Sequence, residues 1–168
     1  MIKLFMKHSS EIQLLLQIID EGYGKKAWHG TNLHGSIRGL TAKEAAWRAG
    51  KNRHNIWEIV VHCVYWKYAV RRRILGEKRG SFPLKGSNWF KRPYGKPNEE
   101  LWRQDVALLE ETHRSMVDAI AGLRASDLKK IPHGSKYNNR FTISGIAMHD
   151  VYHAGQIQFI KRLIKNEL

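Results

Sequence analysis

From Ile143 to Ile164 the chain keeps a spacing of three and four residues: Ile143, Ile146, Asp150, His153, Ile157, Ile160 and Ile164. Only an α-helix returns side chains to one face at that interval, which predicts a helix from about Thr142 to Lys165 with one inward stripe. Three further segments share the period. Ile12, Leu15, Leu16 and Ile19 predict a helix from about Ser10 to Gly22, capped by Ser9 or Ser10 and stopped by Gly22 and Gly24. Ile56, Ile59, Val60, Cys63, Val70 and Ile74 predict one from about Arg53 to Leu75, ended by Gly76. Trp102, Leu109, Met116, Ile120 and Leu123 predict one from about Asn98 to Leu123, with Glu99 and Glu100 in the first turn, where the helix dipole favours carboxylates. Thr41, with Glu44 three residues on, has capping-box spacing and starts a short extra helix. No segment reads as a strand. Four amphipathic helices in 168 residues predict one all-α domain over 1–168, a four-helix bundle.

The connectors, 23–52, 76–97 and 124–141, are long for a compact domain, and loops of that length are often functional. They carry Trp28, Trp47, Phe82, Trp89 and Phe90, which predicts ordered segments packed on the bundle.

The stripe of the last helix is interrupted. Asp150 and His153 occupy slots that should be apolar, His149 stands one turn before His153, and Gln156 continues the same edge. Burying such groups without partners costs roughly 1–3 kcal/mol each, so the cluster needs compensation. A metal ion is one answer; a satisfied polar core is the other. His149 and His153, four apart, share a helix face. His62 lies at the edge of the second helix's stripe with Glu58 one turn earlier, and packing of the two helices would bring it opposite that pair. Three imidazoles leave coordination positions open, as in catalytic zinc sites, and Asp150 or Glu58 would orient a ligand or handle a proton. The sequence HDVYH also invites comparison with the H-E-x-x-H metallopeptidase helix. Asp150 is a short substitute for the glutamate, and only fifteen residues follow His153 to supply a further ligand. His8, His29, His34, His54, His113 and His133 fall in expected loops, caps or exposed faces and are given no role. Cys63 reads as core packing.

The stretches AWHGTNLHGSIRGLTAKEAAWR (27–48), NIWEIVVHCVYWKYAVRRRILG (55–76), SNWF (87–90) and MHDVYHAGQIQFIK (148–161) together resemble the DinB/YfiT-like superfamily of metal-dependent four-helix proteins. The resemblance implies a bundle with a long crossover and a divalent ion, nickel or zinc, held by His62, His149 and His153. It further implies a homodimer. Characterised members of the superfamily include thiol-dependent S-transferases and a thiol-dependent isomerase.

Two functions follow as expectations. The first is a metal-dependent enzyme, hydrolase or S-transferase, in which the ion activates water or a low-molecular-weight thiol. The alternative is a non-catalytic metal-binding stress module with a basic partner-binding surface. The net charge of +14 favours anionic partners, and the excess is uneven: residues 51–96 hold twelve basic residues against Glu58 and Glu77. A small anionic or thiol-bearing substrate fits this charge. Nucleic acid is disfavoured, because no zinc-finger spacing or aromatic-basic RNA motif accompanies it. No stretch approaches the roughly 18 apolar residues of a membrane span. A single cysteine and no recognisable leader point to the cytoplasm.

Overall fold

The computed structural model describes residues 9–80 and 82–167. Six helices appear among them: α1 Ser10–Tyr23, α2 Leu33–Ile37, α3 Ala42–Ala46, α4 Ile56–Leu75, α5 Glu99–Ala121 and α6 Asn139–Glu167. A 3-10 turn covers Ala125–Lys129. The described residues hold no strand, only an isolated bridge between Ala27 and Gly30. The all-α expectation holds.

Side-chain caps set most of the helix starts. Ser9 accepts from the Ile12 N–H, Asn55 from Glu58 and Asn98 from Leu101. Thr41 and Glu44 form the full capping box of α3. The cap at Asn55 starts α4 at Ile56, the first residue of its apolar stripe and three residues after the expected start near Arg53. Gly76 ends α4 in the left-handed conformation, φ 68°, where its N–H bonds back to the last turn. Helix α2 lacks a full period of apolar residues and was not expected; Asn32 caps it by accepting from the Gly35 N–H.

The four long helices form a ring in which α4 packs on α5 and α6, and α1 packs on the same two. Helices α1 and α4 are therefore diagonal, as are α5 and α6, and a diagonal connection must cross the end of the bundle. That accounts for the length of 24–55 and 122–138. Helix α2 lies on α6 and α3 on α4, filling the first crossing. Most of the loop aromatics pack as expected: Phe90 is buried and Trp47, Phe82 and Trp89 are half-buried. Trp28 departs from the expectation and is fully exposed.

The core is in two parts. One gathers Trp57, Val61, Phe90, Trp102, Leu109 and Ile157. The other gathers Ile12, Val70, Met116, Ile120, Ile143 and Ile146. Between them, on each long helix, lies a polar residue: Tyr23 on α1, Lys67 on α4, His113 on α5 and Asp150 on α6. Lys67 and Asp150 are both buried and paired with each other. The Lys67 ammonium sits 5.1 Å from the Tyr23 ring, and that ring stacks on His113 at 3.5 Å. His113 is thus buried and lies within the bundle, in contrast to the exposed or capping position expected for it. His8 lies outside the described residues.

Candidate metal centre

The three histidines meet at the edge of this polar layer. The Nε2 atoms of His62 and His149 are 3.0 Å apart, and those of His153 and His149 3.1 Å. His62 comes from α4, where the chain is apolar on nearly every side. His149 and His153 are successive turns of α6, as their spacing requires. His62 and His153 are buried and His149 is half-buried.

The other ring nitrogens decide what the meeting point can hold. His62 Nδ1 lies 2.8 Å from the Asn88 backbone carbonyl, and His153 Nδ1 lies 2.7 Å from Gln156 Oε1. A carbonyl oxygen only accepts, so both Nδ1 atoms donate. Both Nε2 atoms then carry lone pairs, and both face His149 Nε2. His149 can donate one proton to one neighbour at most. At least one pair of lone pairs therefore faces across about 3 Å with no proton between them. That arrangement is repulsive by itself and is satisfied by a cation. Acceptor-oriented imidazoles are also the usual surroundings of metal-bound histidine. Protonation does not relieve the cluster. Burial holds all three imidazoles below the ordinary range, His149 at about 3 and His153 at about 4; His153 and His62 add to the effect at His149, and His62 adds to it at His153. The donor set fits a divalent ion of the zinc or nickel type.

The crossover segment completes the wall. Trp89 stacks on His62 at 3.9 Å and, on its other face, on His54 at 3.7 Å. Asn88, at φ 65°, turns its carbonyl to His62 while its side chain accepts from Trp66 Nε1 at 2.9 Å. The signal for Trp89 was the aromatic content of the connector; Lys67 interrupts the stripe of its own helix between Cys63 and Val70, as Asp150 does on α6, and Asn88 lies within the family-like stretch 87–90, though nothing there marked its backbone carbonyl.

Neither carboxylate is hydrogen-bonded to the three clustered imidazoles, although Asp150 lies close to His149. Glu58 is held by the Arg48 guanidinium, by His54 and by the Arg92 N–H. Burial pushes its carboxyl up, but these partners outweigh burial and hold it below its ordinary value. Asp150 takes Lys67 on Oδ2, while Oδ1 is buried without a hydrogen-bond partner among the described residues. Burial raises its pKa and the Lys67 ammonium opposes that rise. A carboxylate oxygen of Asp150, a ring nitrogen of His149 and the Cys63 thiol lie within 4.8 Å of one another. Burial raises the Cys63 pKa strongly, and the side chain serves as core packing.

Two cavities flank the cluster. One, of about 370 Å3, is lined by Trp66, Arg73, Phe141, Gly145 and His149. The other, of about 620 Å3, is lined by His54, Trp89, Gln156 and Phe159.

A helical bundle with a buried three-histidine cluster between two helices defines a class of candidate metal-binding proteins. The family model of the DinB superfamily matches residues 26–157, and the chain belongs to that superfamily. No curated protein and no solved structure matches it. No helix among the described residues is long and apolar enough to cross a membrane.

Proposed function

We propose that the chain is a divalent-metal-dependent enzyme of hydrolase or S-transferase type, with His62, His149 and His153 as the ligands and nickel or zinc as the ion. The observation that carries the reading is the convergence of three Nε2 atoms, two of them fixed as lone-pair donors, beside a cavity that reaches His149. A bound ion would lower the pKa of a water or thiol in an open coordination position. Asp150 is our candidate to hold or move a proton. Its partnerless Oδ1 and its closeness to His149 support that role. Glu58 is our candidate positioning residue, because it holds His54 against Trp89 and thereby Trp89 against His62. The apolar lining of half-buried Trp66 and exposed Phe141, with Arg73 at the edge, suits a small anionic or thiol-bearing substrate.

We also propose that the chain pairs with a second copy through α6. Phe141, Met148, Tyr152 and Phe159 are exposed and spaced seven, four and seven apart, a heptad seam on a helix that already packs its other face. An antiparallel partner centred on Tyr152 sets Phe159 opposite Gly145 of the second copy, where a Cβ would meet nothing within 4 Å. The buried, unpaired Cys63 agrees with a reducing compartment such as the cytoplasm.

Metal analysis of tag-free protein tests the site. About one ion per chain is expected in the parent, lost in His62→Ala and in His153→Ala; equal content in all three would overturn the reading. A thiol panel and an ester panel on the loaded protein then separate transferase from hydrolase. Stoichiometric metal with no turnover on either would favour the binding-module alternative.

A further inference from the structure

The basic excess is gathered at one end of α4. Arg72 and Arg73, in the helix's last turn, face Lys78 and Arg79 of the following turn and His133 of the α5–α6 connection across a cavity of about 430 Å3. The sole acid in its lining is Glu77, whose carboxylate is taken by Arg71 at 2.7 Å. Arg73, Lys78 and Arg79 have no carboxylate partner among the described residues. Arg73 is half-buried, its guanidinium 5.9 Å from the Trp66 ring. Burial and the neighbouring Arg72 and Arg79 disfavour its charged form, which is the mark of cations crowded without a counter-ion. Solvated surface charges spread apart to avoid this repulsion; here two connections and a helix end hold them together.

Arg73 and Gly134 also line the cavity that reaches His149, so the two cavities are neighbours across the Arg73 side chain. His62 and Arg73 stand eleven positions apart on α4, about 16 Å at the helical rise. Trp66 lies along that path, its ring 6.4 Å from His149. Guanidinium forks pair best with phosphate or carboxylate oxygens, and this many cations exceeds what a single carboxylate can neutralise.

We propose that the Arg72–Arg73–Lys78–Arg79–His133 pocket binds the phosphate-bearing end of a small molecule whose apolar body lies along Trp66 toward His149. This rests on the metal-site reading for the reacting end, but the anion pocket itself does not.

The test uses full-length protein stripped with a chelator, so that a bound cation plays no part, and titrates inorganic phosphate and 1-naphthyl phosphate by calorimetry. Both are expected to bind saturably, the naphthyl ester at least about fivefold tighter, because stacking of an aromatic ring adds on the order of 1 kcal/mol. Arg73→Gln with Arg79→Gln should weaken both by at least about tenfold, the loss of a charge-assisted hydrogen bond. Arg79→Gln alone, in an exposed turn, serves if the double variant misfolds, and should weaken both in the same direction. Trp66→Leu should abolish only the preference for the naphthyl ester. His62→Ala should leave phosphate affinity unchanged, and its loss of metal with phosphate binding intact separates the two claims. Absence of saturable phosphate binding, or equal affinity in Arg79→Gln, would overturn the pocket. An eight-nucleotide single strand that binds through the same arginines and is not displaced by phosphate would overturn the small-molecule assignment in favour of nucleic acid.

Discussion

The backbone carbonyl of Asn88 accepts from His62 Nδ1 at 2.8 Å, and this bond is what turns the His62 Nε2 lone pair toward the other two imidazoles. Asn88 reaches that position only because its backbone is left-handed, φ 65°, with its side chain tied to Trp66. Partners of metal-bound histidine contribute about 10–100-fold to metal affinity. Asn88→Val, which resists a left-handed backbone and loses the Trp66 bond, is expected to weaken divalent metal binding by about tenfold or more. Asn88→Gly, which keeps the backbone, is expected to lose less. Chelator competition measures both, and equal affinities in the two variants would remove the positioning role.

The buried Lys67–Asp150 pair predicts an asymmetry in stability. Removing one member leaves the other charged or forces it to neutralise in the core, at a cost of about 3–5 kcal/mol. Lys67→Met and Asp150→Leu should each be destabilised on that scale in urea unfolding, and the double variant should recover much of the loss. Additive losses would mean that the two side chains do not act as a pair.

Bundle architecture and the histidine pair were readable because both are periodic: apolar residues at three and four mark the helices, and His149 and His153 share that rhythm. The partners that complete the site were not readable, for physical reasons. The Asn88 contact is made by a backbone carbonyl, which any residue type carries, and its value depends on a dihedral angle that the residue name does not specify. Lys67 stands on the stripe of its helix, between Cys63 and Val70, but nothing near it in the chain names its partner, Asp150, 83 positions away. His113 counts among the histidines expected in loops, caps or exposed faces, yet it stands between Leu109 and Met116 on its helix's stripe and faces inward onto Tyr23. The polar layer belongs to the ring of four helices and to no one of them.

That layer predicts a pH dependence apart from the metal ligands. Burial, with Lys67 and His34 adding to it, holds His113 at about 3 against an ordinary 6.5. Between those values the unfolded chain binds a proton that the folded chain does not, so stability falls as pH drops from about 6.5 toward 3. The loss from this group is about 2 kcal/mol at pH 5. His113→Phe should flatten that part of the acid limb, read as urea midpoints from pH 7 to pH 5. An unchanged slope would mean that His113 takes up its proton in the fold.

The outer seam of α6 carries the last prediction. Exposed residues spaced as Phe141, Met148, Tyr152 and Phe159 are gain little by facing water, and each fully buried side chain of this size contributes about 1.5–3 kcal/mol. In the antiparallel arrangement Phe159 is used twice, once per copy, each time over Gly145. Phe159→Glu then introduces two charges into one interface and should yield a monomer by sedimentation at concentrations where the parent is a dimer. Gly145→Leu should act in the same direction by filling the opposite hollow, while both variants keep the helical content of the parent. A parent that sediments as a monomer would leave the seam to another partner, and a dimer that survives both substitutions would put the interface on a different face of the bundle.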